Sequence, residues 1–590
     1  GFSDKQIARY VGMDELEIRE FRKQANILPV VKQIDTLAAE WPAKTNYLYL
    51  TYGGSTDDIV LEKSNSRMIV LGAGPYRIGS SVEFDWGTVN MVWGLKDNGV
   101  QEVSVINCNP ETVSTDYDIC DRLYFEELTQ ERVLDIYEKE KANGVITCVG
   151  GQVANNLISK LANNKVKIIG TDSEDVDKAE NRSKFSNLLD QLNIKQPAWQ
   201  TFTNFDEATI FVKNVGYPVL VRPSYVLSGA AMKVIWDVSQ LKQYLTEASK
   251  VSPEYPVVIS KFMSDALEVE VDAVSNRKQI VIGSIIEHIE TAGIHSGDAM
   301  MVIPPWRLTR KIIETITDYT RKIAIALKIK GPFNIQYLVK DDNVYVIECN
   351  VRASRSMPFV SKFVGLNLIT LAAMIMVDKP IPKEVTDVWL NTKGFGIKVP
   401  QFSFMQLEGA DVVLGVEMHS TGEAACFGDT FYDALSKALI ATGYSLPING
   451  TALITVGGSE MKSKILPLVS TLKSMEFNLF ATEHTAEYLI ENGFNDTKIV
   501  YKISEPERSP NIIKLLYDKQ IDLIINIPNT STIEKYVGML YDEYQIRRKA
   551  VEMGLPVLTT LESANSFVKT LEWLRNNESS ISTLKKYMKL

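Results

Sequence analysis

Short runs rich in β-branched residues alternate with helix-length segments, and no other feature narrows the fold of this chain as far. Residues 68–71, 103–106, 144–147 and 166–169 are such runs, each spaced from the next by enough chain for a helix. Strand–helix alternation needs crossover connections and therefore a parallel sheet. The first run feeds Gly72-Ala73-Gly74-Pro75-Tyr76-Arg77-Ile78-Gly79. That string approaches a dinucleotide fingerprint, but its third glycine is out of register. A tight strand-to-helix turn is the better reading. The pattern restarts near Pro447, where 452–456, 478–482, 521–526 and 556–559 read as four strands of a second, smaller α/β domain. Thr and Asn at those strand ends place ligand-binding groups at the sheet's carboxyl edge.

The flanking segments follow other rules. Residues 1–45 read as helical, because Ser3 with Gln6 and Asp14 with Glu17 are capping boxes and Trp41-Pro42 ends the run. The chain opens in mid-element, which predicts an excised part of a longer polypeptide. Residues 51–66 read as a polar linker and 179–194 as one helix. Strands are expected at 218–223 and 257–262, with Leu227-Ser228-Gly229-Ala230-Ala231 between them as a flap. Residues 308–329 read as an amphipathic surface helix, and another helix lies near 364–376.

Chemistry concentrates in the middle of the chain. Phe333-Asn334-Ile335-Gln336-Tyr337 and Val344-Tyr345-Val346-Ile347-Glu348-Cys349-Asn350-Val351-Arg352 are apolar β runs carrying polar groups that a plain core would reject. Strand alternation puts Glu348 and Asn350 on one face, where Gln336 on a neighbouring strand can join them. Oxygen donors of this kind suit Mg²⁺, which also takes phosphate oxygens. Arg352 and Arg355 follow and suit phosphate recognition. Arg222 and Lys261 each sit in a β run, costly unless they meet an anion, and predict a triphosphate clamp. Glu268, Glu270 and Asp272 alternate with Leu267, Val269 and Val271, giving either an exposed acidic face or a ribose or cation contact. The turn from Thr291 to Asp298, with Gly293-Ile294-His295-Ser296, can present backbone groups to a nucleotide or a monovalent cation. Without a Ser-His-Asp or Cys-His arrangement, the set fits phosphoryl transfer, which relies on positioning and charge neutralisation.

Composition removes other classes. The formal net charge is -10 with no long basic run, which disfavours nucleic-acid binding. No apolar run approaches the ~20 residues of a membrane span. The cysteines, Cys108, Cys120, Cys148, Cys349 and Cys426, form no CxxC pair and read as free thiols of a reducing compartment. Only four histidines are present, too few for a His-rich metal site.

Several of these strings resemble the carbamoyl phosphate synthetase family, and specifically the C-terminal half of its large subunit or synthetase region. The likeness runs the length of the chain. It is carried by Gly1-Phe2-Ser3-Asp4, the stretch 105–116 with Asn107-Cys108-Asn109-Pro110-Glu111-Thr112, Val221-Arg222-Pro223-Ser224-Tyr225-Val226-Leu227, Glu287-His288-Ile289-Glu290, Gly293-Ile294-His295-Ser296-Gly297-Asp298 and Pro358-Phe359-Val360-Ser361-Lys362. The resemblance implies an α/β multidomain chain. The end of a helical oligomerisation domain would span 1–58, a parallel-sheet pre-ATP-grasp domain 67–183, and an ATP-grasp domain 184–385 with an extension over 386–445. A methylglyoxal-synthase-like, doubly wound α/β allosteric domain would span 446–590.

It further implies an ATP-dependent ligase that phosphorylates carbamate to carbamoyl phosphate, with ATP, two Mg²⁺ or Mn²⁺ ions and K⁺. Arg222, Lys261, Met263, Glu268, Gly293, Ile294, His295, Ser296, Gln336 and Glu348 would contact the nucleotide. Gln336, Glu348 and Asn350 would hold the divalent ions, and Glu268, His288 and Glu290 would form the K⁺ site. Arg222, Asn350 and Arg352 would be catalytic, with Arg352 facing the transferring group. Lys261 stands where bacterial members carry a histidine and keeps a cation there. In the last domain, Thr482, Thr485, Tyr501, Asn526 and Asn529 would line an effector pocket. Tyr501 and Glu543 replace a Trp and an Asn of the N-acetylglutamate-activated, urea-type enzymes. A carboxylate at 543 repels a dianion, so a pyrimidine-pathway enzyme with a nucleotide or phosphoribosyl effector is favoured. The implied partners are the N-terminal synthetase half and a glutaminase region or subunit, neither in this chain, and a second copy in a homo-oligomer. The implied compartment is the cytoplasm, with the mitochondrial matrix as the alternative. Three competitors stay open: the urea-type enzyme, an ATP-grasp ligase for another carboxylate such as a biotin carboxylase, and a regulatory module inactive without the missing half.

Overall fold

The computed structural model describes residues 2–43, 45–61, 64, 66–223, 232–251, 257–528 and 537–587. The sequence motif from Ser224 to Leu227 and the expected flap at 227–231 lie outside them. Four sheets follow one another along the chain. The first holds β1 (Val30–Gln33), β2 (Tyr47–Thr51), β3 (Arg67–Leu71), β4 (Glu102–Ile106), β5 (Arg122–Tyr124) and β6 (Gly144–Ile146), in the order β1-β2-β5-β4-β3-β6. Its strands run parallel except for β1 against β2.

The helical reading of 1–45 holds only for Asp4–Val11 and Glu15–Gln24, both with complete capping boxes. Beyond them, Val31, Leu48 and Leu50 enter the core under the first sheet, and burial with period two overrides the helix. Residues 166–169 form no strand, only a bridge between Val145 and Ile168. The glycine string after β3 serves packing. A Cβ at Gly150 would lie 2.2 Å from the Gly72 carbonyl oxygen. The loops after β3 and β6 thus close on each other where a dinucleotide would need room.

The second sheet is small and antiparallel: β7 (Trp199–Phe202), β8 (Val219–Pro223), β9 (Lys233–Ile235) and β10 (Val257–Lys261), ordered β7-β10-β8-β9. Two helices, Phe205–Val215 and Val238–Val251, give it a core of its own with Ala208, Val212 and Leu241. The third sheet is antiparallel and larger: β11 (Leu267–Asn276), β12 (Ile280–Thr291), β13 (Met301–Ile303), β14 (Lys330–Lys340), β15 (Asn343–Asn350), β16 (Phe395–Gln401) and β17 (Gly422–Gly428), ordered β15-β14-β11-β12-β13-β16-β17. The helix Arg310–Ala326 lays Ile312, Ile316 and Ile323 on it, at the spacing of an amphipathic face. The helix expected over 179–194 is two, Ser173–Glu180 and Arg182–Gln191, because Asn181 leaves the helical region and caps the second.

The apolar pair Met357–Val364 and Leu368–Met376 joins the third sheet to the first domain's helix Val82–Asp97 in one core. A Cβ at Gly94 would meet that of Ala373 at 2.7 Å, so the helices touch at a glycine. Among the described residues no single helix is long and apolar enough to cross a membrane. The last sheet is parallel, with β18 (Thr451–Val456), β19 (Asn478–Thr482), β20 (Lys498–Val500), β21 (Leu523–Ile527) and β22 (Val557–Leu558) in the order β20-β19-β18-β21-β22. Four strands were expected there; β20 is only three residues long and carries little pattern of its own.

Candidate nucleotide and metal site

The β14–β15 hairpin builds the site through one irregularity. Val344 and Val346 face the core, and strict alternation would send Glu348 the same way. A bulge intervenes: Tyr337 pairs with Val346 but Gln336 pairs with Glu348, leaving Ile347 extra. The extra residue reverses the parity. Cys349 and Val351 return to the core, while Glu348 and Asn350 stand opposite Gln336 and Asn334. Asn350 Nδ2 donates to Glu348 Oε1 at 2.8 Å. Gln336 Nε2 reaches Glu270 Oε1 at 3.3 Å and Ser296 Oγ at 3.4 Å. The Gln336 amide oxygen, the Glu348 carboxylate and the Asn350 amide oxygen, which takes a contact of 3.3 Å from Arg352 Nη2, are the groups that could hold a cation. A carboxylate with amide oxygens fits Mg²⁺, which keeps waters and phosphate oxygens in its remaining positions.

The acidic strand face is buried. Glu268, Glu270 and Asp272 are 8%, 3% and 0% exposed, so the exposed-face alternative is wrong: β12 and β14 flank β11 on both sides. Burial pushes Glu268 up to about 7, with Glu270 and Glu348 adding to it against His288. Burial also acts on Glu270, but His288, Lys398 and Asn334 outweigh it and hold that carboxyl down to about 2. His288 Nε2 lies 3.3 Å from Glu270 Oε1. Burial opposes its charge, yet the two glutamates raise its pKa. Burial pushes Asp272 up to about 6, although it accepts from Ser354, Ser356 and Asn334. Of the three residues expected around K⁺, His288 turns to Glu270, and Glu290 Oε2 accepts the Met300 amide at 2.8 Å. Among the described residues no three His, Cys, Asp or Glu side chains converge on a metal position.

Glu290 yields a measurable consequence. Burial raises it from 4.5 to about 7. A raised carboxyl contributes stability below its unfolded pKa, and that contribution is lost as pH climbs through the folded one. At pH 8 the protein therefore carries the cost of ionising a buried acid, about 3 kcal/mol at most. Glu290→Gln, whose amide oxygen still accepts from Met300, should raise the unfolding midpoint at pH 8 and leave it unchanged at pH 4.5. Thermal unfolding across that range, without added K⁺, checks this; equal shifts at both ends rule it out.

Other expected residues are placed as follows. Lys261 Nζ donates to the carbonyls of Gly216 and Tyr217 at 3.0 and 2.9 Å. In this structure two of its donors are engaged by that turn. With Met263, Phe262, Lys340 and Tyr345 it lines a cleft of about 470 Å³ at one end of the hairpin. Arg222 lies on β8. The Gly293 to Ser296 turn reaches Gln336 through Ser296. Ile294 is buried, and a Cβ on Gly293 would meet Phe262 at 3.0 Å. Burial and Arg355 push His295 down to about 4; its Nδ1 accepts the Gly297 amide at 3.0 Å. Arg352 is half-buried, with no carboxylate in salt-bridge range among the described residues, and burial lowers its pKa.

Sequence reasoning missed Arg182, which donates to the Ile347 carbonyl at 2.6 Å and lies over Trp199. Burial and Arg222 push it down to about 10, against Glu348. No local pattern marks it, because its partner lies 165 residues away in the chain. Asn334, by contrast, stood in the same polar-in-apolar pattern as Gln336.

In the last domain Thr482, Tyr501 and Asn526 lie at or beyond the carboxyl ends of β19, β20 and β21. Asn529 lies outside the described residues. Thr485 accepts the Val456 amide at 3.3 Å. Arg508 lies 3.7 Å over the Tyr501 ring. Asn526 is 1% exposed and accepts from Arg547 at 2.8 Å, and Arg547 also pairs with Asp411 in the β16–β17 connection.

Residues 64–178 match the carbamoyl phosphate synthase preATP-grasp domain, 181–384 the carbamoyl-phosphate synthase L chain ATP binding domain, and 464–559 the MGS-like domain. The multifunctional protein URA2 of Saccharomyces cerevisiae is 46% identical over 97% of the chain and 26% of its own length. The mitochondrial carbamoyl-phosphate synthase [ammonia] of Aquarana catesbeiana is 47% identical over 97% of the chain and 38% of its own. The chain thus spans between a quarter and two fifths of these relatives. Among solved structures, the biotin carboxylase domain of Hydrogenobacter thermophilus 2-oxoglutarate carboxylase covers 64% of the chain and 89% of itself, at TM-score 0.51 and 12% identity. Campylobacter jejuni biotin carboxylase covers 63% and 90%, at 0.50 and 14%. At such identities the likeness speaks for the fold alone, an ATP-grasp unit behind its parallel-sheet domain. With near-half identity along nearly its whole length and three matched domains in sequence, the chain belongs to the carbamoyl-phosphate synthase large-chain family and ends in an MGS-like domain.

Proposed function

We propose that this chain transfers the terminal phosphoryl group of ATP to carbamate, giving carbamoyl phosphate and ADP. The observation that carries the reading is the bulged hairpin, which turns Glu348 and Asn350 onto the face of Gln336 beside Arg352, a half-buried guanidinium whose hydrogen-bond partners among the described residues are neutral. Glu348 with the amide oxygens of Gln336 and Asn350 would hold Mg²⁺ or Mn²⁺, whose role is to neutralise charge on the β and γ phosphates. The lined cleft at Met263 and Phe262 would take the base, and Arg182 and Arg222 the phosphate chain. Arg352, a half-buried cation with no ion pair among the described residues, would stabilise the transferring group. Glu268, His288 and Glu290 would set the charge around a K⁺ ion held largely by backbone oxygens.

Purified chain with ADP, carbamoyl phosphate, Mg²⁺ and K⁺ should form ATP, read by a coupled luminescent assay. Nucleotide binding without ATP formation favours a ligase for another carboxylate; activity restored by adding the N-terminal half favours a module that needs its partner. For the last domain we propose an effector site at the carboxyl edge around Thr482, Tyr501 and Asn526, in a pyrimidine-pathway parent, cytoplasmic and oligomeric. Glu543 lies beside Arg547 and Lys502, and burial raises its pKa. Stabilisation by UMP, UTP or phosphoribosyl pyrophosphate, and not by N-acetylglutamate, is the expected thermal-shift result.

A further inference from the structure

The Arg352 turn is docked onto a different domain from the one that carries it. The Ala353 amide donates to the Cys148 carbonyl at 2.8 Å, and Arg352 Nε donates to Gln152 Oε1 at 3.0 Å. Cys148 and Gln152 belong to the loop after β6 and the short helix Gly151–Asn155, at the carboxyl edge of the first sheet. That loop is positioned by its glycines: Gly151 sits at φ 64, and Gly150 packs on the Gly72 carbonyl. Gln152 is in turn oriented. Its Nε2 donates to Asn156 Oδ1 at 2.8 Å and to Glu180 Oε1 at 3.2 Å, and Asn155 also donates to Glu180. With its amide nitrogen committed to Glu180, only the oxygen is presented to Arg352.

We propose that Gln152, oriented by Glu180, is a positioning residue for Arg352 in the phosphoryl-transfer step; this rests on the function proposed above. A neutral acceptor suits the task. A carboxylate at 152 would form a partly buried ion pair with Arg352, competing with the phosphoryl oxygens and lying against Glu180. An amide holds the guanidinium at Nε and through a neutral dipole, leaving its charge for the reacting group. The remaining contacts, Nη1 to the Ala353 carbonyl at 3.2 Å and Nη2 to Asn350 Oδ1 at 3.3 Å, come from the turn and from the end of β15, so the Gln152 contact is the side-chain hydrogen bond that ties the guanidinium to the first sheet.

The test uses Gln152→Met, close in volume but without an acceptor, and Gln152→Glu. In the ATP-forming assay Gln152→Met should lower kcat about 10-fold, the scale of one misplaced group, with KM for ADP within about 2-fold of wild type. Gln152→Glu should lower kcat further. A parallel calorimetric arm compares ADP alone with ADP plus aluminium fluoride, a mimic of the transferring group. Gln152→Met should weaken only the fluoride complex, about 10-fold. Wild-type kcat in Gln152→Met, or an equal loss in ADP affinity and kcat, overturns the proposal. An unmutated chain that makes no ATP sinks the functional reading instead, and the fluoride arm then decides on Gln152.

Discussion

Glu348→Ala is expected to abolish ATP formation from ADP and carbamoyl phosphate, at least about 1,000-fold in kcat, the scale on which losses of charge stabilisation in phosphoryl transfer are measured. Glu348 is the only carboxylate of the three oxygen donors the hairpin presents, so its removal leaves two neutral amides for a divalent ion. The side chain is half-buried at a strand end and accepts one hydrogen bond, from Asn350. Its truncation should therefore move the unfolding midpoint by no more than a few degrees. Glu348→Gln separates charge from shape: it keeps an oxygen for the Asn350 amide and loses the charge, and it should be nearly as inactive. Steady-state kinetics at saturating Mg²⁺ with circular dichroism checks both halves of the expectation. Near-full activity in either variant would remove the hairpin from the metal site.

Why this site could be read from sequence, and where the reading stopped, has a physical basis. Gln336, Glu348 and Asn350 stand out because polar groups inside β-branched runs are costly unless used. Their convergence depends on the Ile347 bulge, which no residue type announces; period-two counting happens to place Glu348 with Asn350 but would also place both with Val346. The acidic run from Glu268 to Asp272 has the alternation of an exposed face. It is buried because His288, Asn334, Ser354 and Ser356 supply its partners from sequence separations of up to 84 residues. Lys261 was legible as a cation in a strand, but its ties to Gly216 and Tyr217 depend on a turn 45 residues earlier. Gln152 lies 200 residues from Arg352, and single-sequence patterns carry nothing at that range. The same limit hid β1 and β2, whose few apolar positions make sense only once β5 lies beside β2.

Arg352→Met is expected to cost about 1,000-fold in kcat with KM for ADP little changed, whereas Arg352→Lys should retain a few per cent of activity. The side chain is half-buried and, among the described residues, donates only to neutral acceptors: Gln152, the Ala353 carbonyl and Asn350. Burial lowers its pKa while Glu348 opposes that effect from a distance. A partly desolvated cation without an ion pair is unfavourable in the resting protein, and the penalty is relieved when an anion arrives. That differential is what accelerates a step, because the interaction strengthens as charge develops on the transferring group and is weak before it. Methionine removes the charge and should also stabilise the resting fold. A rise in the unfolding midpoint alongside lost turnover is the paired result that a purely structural arginine would not give. Lysine keeps the charge but offers one point where the guanidinium offers a planar fork; it cannot meet Gln152 and the phosphoryl oxygens together, which accounts for its partial activity. Equal activity in the lysine variant and the wild type would mean that charge alone suffices and that the docking of this turn on the first sheet is irrelevant to the chemistry.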